Sequence, residues 1–294
     1  MDFFQTLVNT SVELCYRGNH LKLARKRKEW EFDNIVKYNF ADYYITAYWM
    51  YKNITEQSSI NVWARGSMCS SVICYALGLT AVDPIRFNLH SERFVNDEAP
   101  NFQFDIEASR MQDFKDEMKT ILEEDDDYFG LPPMVRNLLK ETTPMPYLGN
   151  RRKKRIPRNL DEDMICYTLS FPQLLSLRDV YKDRQKGYEV YGYEPLDSIL
   201  SSTRGLLVYQ EQMLDILETI FEVPYLEANG IRKAIMRGER EKVAAYKERF
   251  VRPGNSMTEK AWSVLISNPY AFLKSHAVSR VMASHYYGAK MEKL

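Results

Sequence analysis

INVWARGSMCSSVICYALGL, residues 60–79, decides the fold class. It reads as a short strand, a small-residue turn at Gly66-Ser67, and then a buried helix. Strand, turn and helix in that order open an α/β unit rather than a helical bundle. A second stretch, APNFQFDIEA at 99–108, supplies a partner strand. Asn101, Gln103 and Asp105 alternate there with Phe102, Phe104 and Ile106, the period of two of a half-buried strand. Three aspartates on that polar face would make a metal-binding strand. The face carries two amides and one carboxylate instead.

The surroundings fill in an α+β organisation. Residues 1–58 read as amphipathic helices, with Trp30, Ile35, Tyr38, Tyr43, Ile45 and Tyr48 at helical spacings. Residues 81–98 read as a connector with a short strand, and 109–126 as a polar helix ending in EEDDD. The carboxylates of that run point about 100° apart on a helix and do not converge on one ion. Residues 130–163 are irregular, with five prolines and the basic run RRKKR at 151–155. From 164 onward the pattern is helical, broken near Gly187, Gly205, Pro224 and Pro253-Gly254. The expected units are 1–130 (α/β), 131–163 (a Pro-rich basic linker) and 164–294 (helical). The helical unit carries the basic segment IRKAIMRGEREKVAAYKER at 231–249.

Composition narrows the function classes. Of 294 residues, 40 are basic and 40 acidic, so the chain is not a generally basic nucleic-acid binder, although a local basic channel is allowed. Cys15, Cys69, Cys74 and Cys166 form no Cys-x-x-Cys pair, which argues against structural zinc and for a reducing compartment. MDFFQTLVNT, with no basic region before an apolar run, does not read as a signal peptide, and SVICYALGLTAV is too short to span a bilayer. The expectation is a soluble, cytoplasmic protein without a membrane partner.

Four blocks, in order, resemble one family, the bacterial replicative DNA polymerase III alpha subunits, or C-family polymerases. RKEWEFDNIVKYNFADYYIT (27–46) is similar to the helix that opens the palm. WARGSMCSSVICYALGLTAVDPIRFNLHSERFVN (63–96) resembles the Gly-Arg-Gly-Ser segment and its tail. TRGLLVYQEQML (203–214) resembles the Tyr-Gln-Glu-Gln block, and YAFLKSHAVSRVMASHYY (270–287) the Lys-Ser-His block. The resemblance covers palm and fingers of a much longer family. It implies a small palm-like mixed sheet with flanking helices, followed by a mostly helical fingers-like domain.

The resemblance also implies roles. Arg65, Gly66 and Ser67 match the turn that holds the incoming triphosphate, with Ala64 and Ser70 where the family has glycine. A small-residue turn before a helix start offers N–H groups to phosphate. The strand 101–106 matches Pro-Asp-x-Asp-x-Asp, whose first two aspartates ligate metal. Asn101 and Gln103 stand there, and Asp105 matches the third, which is not usually counted as a ligand. A further family aspartate is not placed, since DYFGL (127–131) follows the strand too soon. Arg232, Lys233 and Arg237, with Lys274, Ser275 and His276, match fingers contacts to nucleotide and template. Tyr209, Gln210, Glu211 and Gln212 read first as a packing and hydrogen-bond anchor, and second as a substrate contact.

Three functional readings stay open. One is a reduced polymerase core, phage-like in its size, that keeps DNA or nucleotide binding and has lost nucleotidyl transfer, a pseudoenzyme. A second is an active DNA polymerase using Mg²⁺ at a compensated site. A third is a polymerase-mimicking protein that occupies a replication partner. Primer–template DNA, dNTP and replisome proteins are the partners implied.

Overall fold

The computed structural model describes residues 2–106, 108–123, 143–144, 159–187, 190–268 and 270–291. The chain divides into two compact units, one of Met1–Lys154 with Val278–Leu294, the other of Arg155–Ala277.

The first unit is α+β, as expected. Helix α1 (Asp2–Cys15) buries Phe4, Val8 and Val12, four residues apart on one face. Helix α2 (Gly18–Lys37) buries Ala24, Glu31 and Ile35, and Asn39 (φ 59) turns the chain into α3 (Ala41–Lys52). Tyr44 of α3 anchors an aromatic cluster, its ring 5.9 Å from Phe94 and 5.2 Å from Phe102, both edge-on. Tyr44 is 1% exposed, whereas Trp30, one of the aromatics at helical spacing, is 38% exposed. A π-helical turn, Asn53–Gln57, leads into β1 (Val62–Arg65). The strand β2 (Gln103–Ile106) pairs antiparallel with β1, Val62 opposite Ile106 and Arg65 opposite Gln103. A two-residue β3 (Thr143–Pro144) runs parallel on the other edge of β2, so the sheet is mixed.

Between the strands the sequence reading needs correction. No strand forms in the described residues 81–98. The backbone N–H groups of Phe87, Asn88 and Leu89 bond to the carbonyls of Asp83, Ile85 and Pro84, which spends on local turns the groups a strand would pair. The helix after the Gly66-Ser67 turn is also short. A 3₁₀ turn (Gly66–Ser70) precedes α4 (Val72–Ala76), and Gly78 at φ +75 ends it. Helix α5 (Met111–Glu123) covers the polar helix. Most of EEDDD, with DYFGL and RRKKR, lies outside the described residues.

The second unit is helical: α6 (Leu160–Thr168), α7 (Leu175–Asp183), α8 (Glu194–Leu200), α9 (Gln210–Thr219), α10 (Tyr225–Arg237), α11 (Arg240–Phe250) and α12 (Ser256–Ser267). Leu214, Leu217, Ile231, Trp262 and Leu265 form its core. Asn159 and Asn255 cap α6 and α12 by accepting the N–H groups of Glu162 and Thr258. Helix α6 starts inside the span that sequence assigned to the linker.

The last helix, α13 (Lys274–Met291), begins in the second unit, but from Val278 on it belongs to the first. The boundary read from sequence kept all of it with the helical unit. Its tie to β1 is specific. The Trp63 indole N–H donates to the carbonyl and hydroxyl oxygens of Ser279 at 3.0 Å, and the Ser279 hydroxyl donates to the Ala64 carbonyl. Among the described residues no helix is long and apolar enough to cross a membrane.

Candidate functional site

The antiparallel pairing of β1 and β2 sets Arg65 beside Gln103 and, one pleat on, beside Asp105. Arg65 Nη1 donates to Gln103 Oε1 at 3.0 Å, and Arg65 Nε lies 3.2 Å from Asp105 Oδ1. Arg280, from α13, closes on the other side, with Nη1 2.7 Å from Asp105 Oδ2 and Nη2 3.4 Å from Oδ1. The Asp105 side chain is 1% exposed, and each guanidinium-bearing side chain 17%. One carboxylate is thus held between two permanent cations, leaving a net charge of one positive. The polar face predicted for β2 is graded: Asn101 exposed, Gln103 half-buried, Asp105 buried.

These residues do not fit a pair of divalent ions. Two such ions about 4 Å apart repel by roughly 17 kcal/mol at an effective dielectric of about 20, which carboxylates and phosphates must offset. Along this strand two of three polar side chains are neutral amides. The third is already bonded to cations that would themselves repel a metal.

The turn itself is shaped by Gln103. Gly66 has φ +75, and a Cβ there would lie 2.7 Å from Gln103 Oε1. Gly66→Ala is expected to destabilise the protein by about 2 kcal/mol, part from the left-handed backbone and part from the contact. Adding Gln103→Ala should return the contact share alone, as read by thermal unfolding of the single and double variants.

The N–H groups at the start of α4 are already spent. Glu31, from α2, is fully buried and accepts the Val72 N–H at 2.8 Å, the Ile73 N–H at 3.0 Å, and the hydroxyls of Ser71 and Ser91 at 2.6 Å each. Ser71 Oγ accepts the Cys74 N–H at 3.1 Å. The sequence reading expected that helix start to offer its N–H groups to phosphate; the structure spends them on Glu31 and Ser71. Any anion at the turn meets Arg65 and the 3₁₀ segment that holds Ser67.

In the second unit the structure joins blocks that the sequence lists apart. Gln210 N–H donates to the Phe272 carbonyl, and Phe272 N–H to the Val208 carbonyl, each at 2.8 Å. Glu211 is buried, and its carboxylate accepts the Lys274 N–H at 2.9 and 3.1 Å, occupying the start of α13. Gln212 Oε1 accepts the N–H groups of Val208 and Tyr209, and its amide donates to Thr203 Oγ1 at 2.7 Å. Tyr209 is buried, and burial pushes its phenol up.

Arg232 belongs to the same network. It donates to Gln210 Oε1 at 3.0 Å and to Asn229 Oδ1 at 2.8 and 3.0 Å, and is only 5% exposed. It is thus not part of an exposed basic face with Lys233, which is half-buried, and Arg237, which is exposed. The His276 ring stands edge-on to Phe272 at 5.7 Å, and Ser275 is buried.

Sequence reasoning missed Glu31, Ser279 and Arg280. The signal was present in two of them. Glu31 sits between aromatics in WEF, and Arg280 follows the small and apolar residues of AVS. A charge embedded in such a run, on a helix packed into a core, needs a buried partner.

Comparison with known proteins agrees with the sequence resemblance. Residues 2–126 match the model of the bacterial DNA polymerase III alpha NTPase domain, and residues 150–257 that of the bacterial DNA polymerase III alpha subunit finger domain. The chain is 35% identical over 112 residues to an error-prone DNA polymerase of Hahella chejuensis, covering 34% of this chain and 11% of that protein. It is 36% identical over 110 residues to the DNA polymerase III subunit alpha of Treponema pallidum, covering 34% and 9%. With the Bacillus subtilis DNA polymerase III subunit alpha it shares 32% over 107 residues, covering 33% and 10%. The match therefore spans about a tenth of the length of these curated relatives.

Proposed function

The chain belongs to the bacterial DNA polymerase III alpha family, and from that premise we propose that it binds DNA or nucleotide in replication without performing nucleotidyl transfer. The observation that carries this reading is the commitment of Asp105 to Arg65 and Arg280, with amides at 101 and 103. Phosphoryl-type transfer in a two-metal site depends on clustered negative charge to assemble the ions. Here the local balance is positive, which favours phosphate groups and disfavours cations. The resemblance assigns a nucleoside triphosphate to Arg65, at the Gly66 turn. Lys233, half-buried, and Arg237, exposed and 3.8 Å from Glu239, are the fingers-type cations that the resemblance assigns to a template strand.

Two measurements test the reading. Primer extension in Mg²⁺ or Mn²⁺ is expected to give no product above a no-enzyme control. Binding of a primer–template and of a nucleoside triphosphate is expected to persist in a metal chelator and to weaken with salt. Robust extension overturns the loss of transfer and supports an active enzyme whose metals are held by other carboxylates. Absence of all nucleic-acid and nucleotide binding at low salt overturns the binding half. It leaves a protein that mimics the polymerase surface toward a replication partner.

A further inference from the structure

The N-terminal half of α2 lies away from Asp105 in sequence and takes no part in the reading above. Residues 18–28, GNHLKLARKRK, hold five basic side chains and no acidic one, in a chain whose formal charge is zero. Arg25 is neutralised by Glu13 at 2.6 Å. Arg27 donates to the Pro84 carbonyl at 3.5 Å and Lys28 to the Asn9 amide oxygen at 2.9 Å, so both keep their charge. Lys22 and Lys26 are exposed and have no ion-pair partner among the described residues.

Two large apolar side chains stand in the same place. Leu23 is 54% exposed and Trp30 38% exposed. Leu23, Lys26, Arg27 and Trp30 fall at i, i+3, i+4 and i+7, one face of a helix, with Lys22 one turn before Lys26. Ala24, Glu31 and Ile35 occupy the adjoining, buried face, and Arg27 stands at its border. Two acidic residues share the exposed side, Glu29 three residues after Lys26 and Asp33 three after Trp30, so the cations gather at the N-terminal end of the face. The Trp30 ring makes no aromatic contact among the described residues.

We infer that this face is a docking site for single-stranded nucleic acid, with phosphates on Lys22, Lys26 and Arg27 and a base stacked on Trp30. Charge and composition choose this occupant. A stable protein interface buries about 800 Å² per partner around an apolar centre, and two exposed side chains do not supply that. A single strand needs cations for its backbone and a flat ring for a base, and both are present. Duplex DNA would use the cations and leave Trp30 idle, because its bases are already stacked.

The test uses the whole chain and a labelled oligothymidylate of about 20 nucleotides, titrated by fluorescence anisotropy over a range of salt. The K22A/K26A/R27A variant is expected to flatten the slope of log K against log salt by about 2, at roughly 0.7 per phosphate contact. Trp30→Ala is expected to weaken binding at least about fivefold, with Trp30→Phe recovering most of it. Lys22, Lys26 and Trp30 are exposed and Arg27 half-buried, and unchanged circular dichroism verifies the fold. An unaltered salt slope in the triple variant overturns the site. So does a Trp30→Ala variant that binds like wild type, or a duplex of equal length that binds as tightly as the single strand. A Lys233→Ala/Arg237→Ala variant reports separately on the fingers-type contacts, so failure here is distinguishable from failure of the proposed function.

Discussion

Asp105→Ala is expected to lower the free energy of unfolding by about 3–5 kcal/mol. The reason is what remains. Two guanidiniums, each in a side chain only 17% exposed, would face one another with their shared carboxylate gone. Removing one partner of a buried ion pair costs more than the pair contributes, because the desolvated charge stays behind. Urea titration reads the effect as a lower midpoint at constant slope. Arg280→Met in the Asp105→Ala background should restore part of the loss, since it removes one of the two stranded charges. If Asp105→Ala shifts stability by less than about 1 kcal/mol, the triad is a surface pair of ordinary strength. The same variant in a binding assay must then be compared at a temperature where both proteins are folded.

The second large effect lies at Glu31. Glu31→Ala strands the N–H groups of Val72 and Ile73 in the core, at about 1–3 kcal/mol each, so a loss of about 4 kcal/mol is expected. The loss should depend on pH. Burial raises the Glu31 carboxyl above its ordinary 4.5, and the bonds from Ser71, Ser91, Ile73 and Val72 offset this in part. A carboxyl whose folded pKa is raised stabilises most below the unfolded value and loses that stabilisation as pH rises through the folded one. The gap between wild type and Glu31→Ala is therefore expected to be widest in acid and to narrow toward neutrality. Unfolding titrations at several pH values check it, and a gap that widens with pH would show that the four donors outweigh burial.

Local pattern carried the elements and little of their charge wiring. The alternation of Phe102, Phe104 and Ile106 put the right side chains in the core, because sidedness on a strand is fixed by neighbours two apart. The opposite face was harder. Asn101, Gln103 and Asp105 look equivalent in sequence, yet burial runs from exposed to complete along them, since α13 covers one end of the strand and not the other. Asp105 finds Arg280 at a separation of 175 residues and Glu31 finds Ser71 at 40. No periodicity encodes pairings at such distances. The helical repeat of α13 likewise shows that one face is buried without showing which unit buries it. The resemblance located the Tyr-Gln-Glu-Gln and Lys-Ser-His blocks, and the fold showed that they hydrogen-bond directly, through Glu211 and the Lys274 N–H.

The separation between Asp105 and Arg280 also sets a schedule for synthesis. At about 5–20 residues per second, a ribosome takes roughly 10–35 s to pass from one to the other. During that interval β1 and β2 exist without Ser279 beneath Trp63 and without the second guanidinium on Asp105. The first part of the chain to emerge is then the last to be completed. The helical unit, contiguous from 155 to 277, has all its residues in hand before the sheet does. Vectorial folding runs backwards here, and a nascent chain halted before residue 280 presents an unfinished sheet edge to the chaperones that meet it.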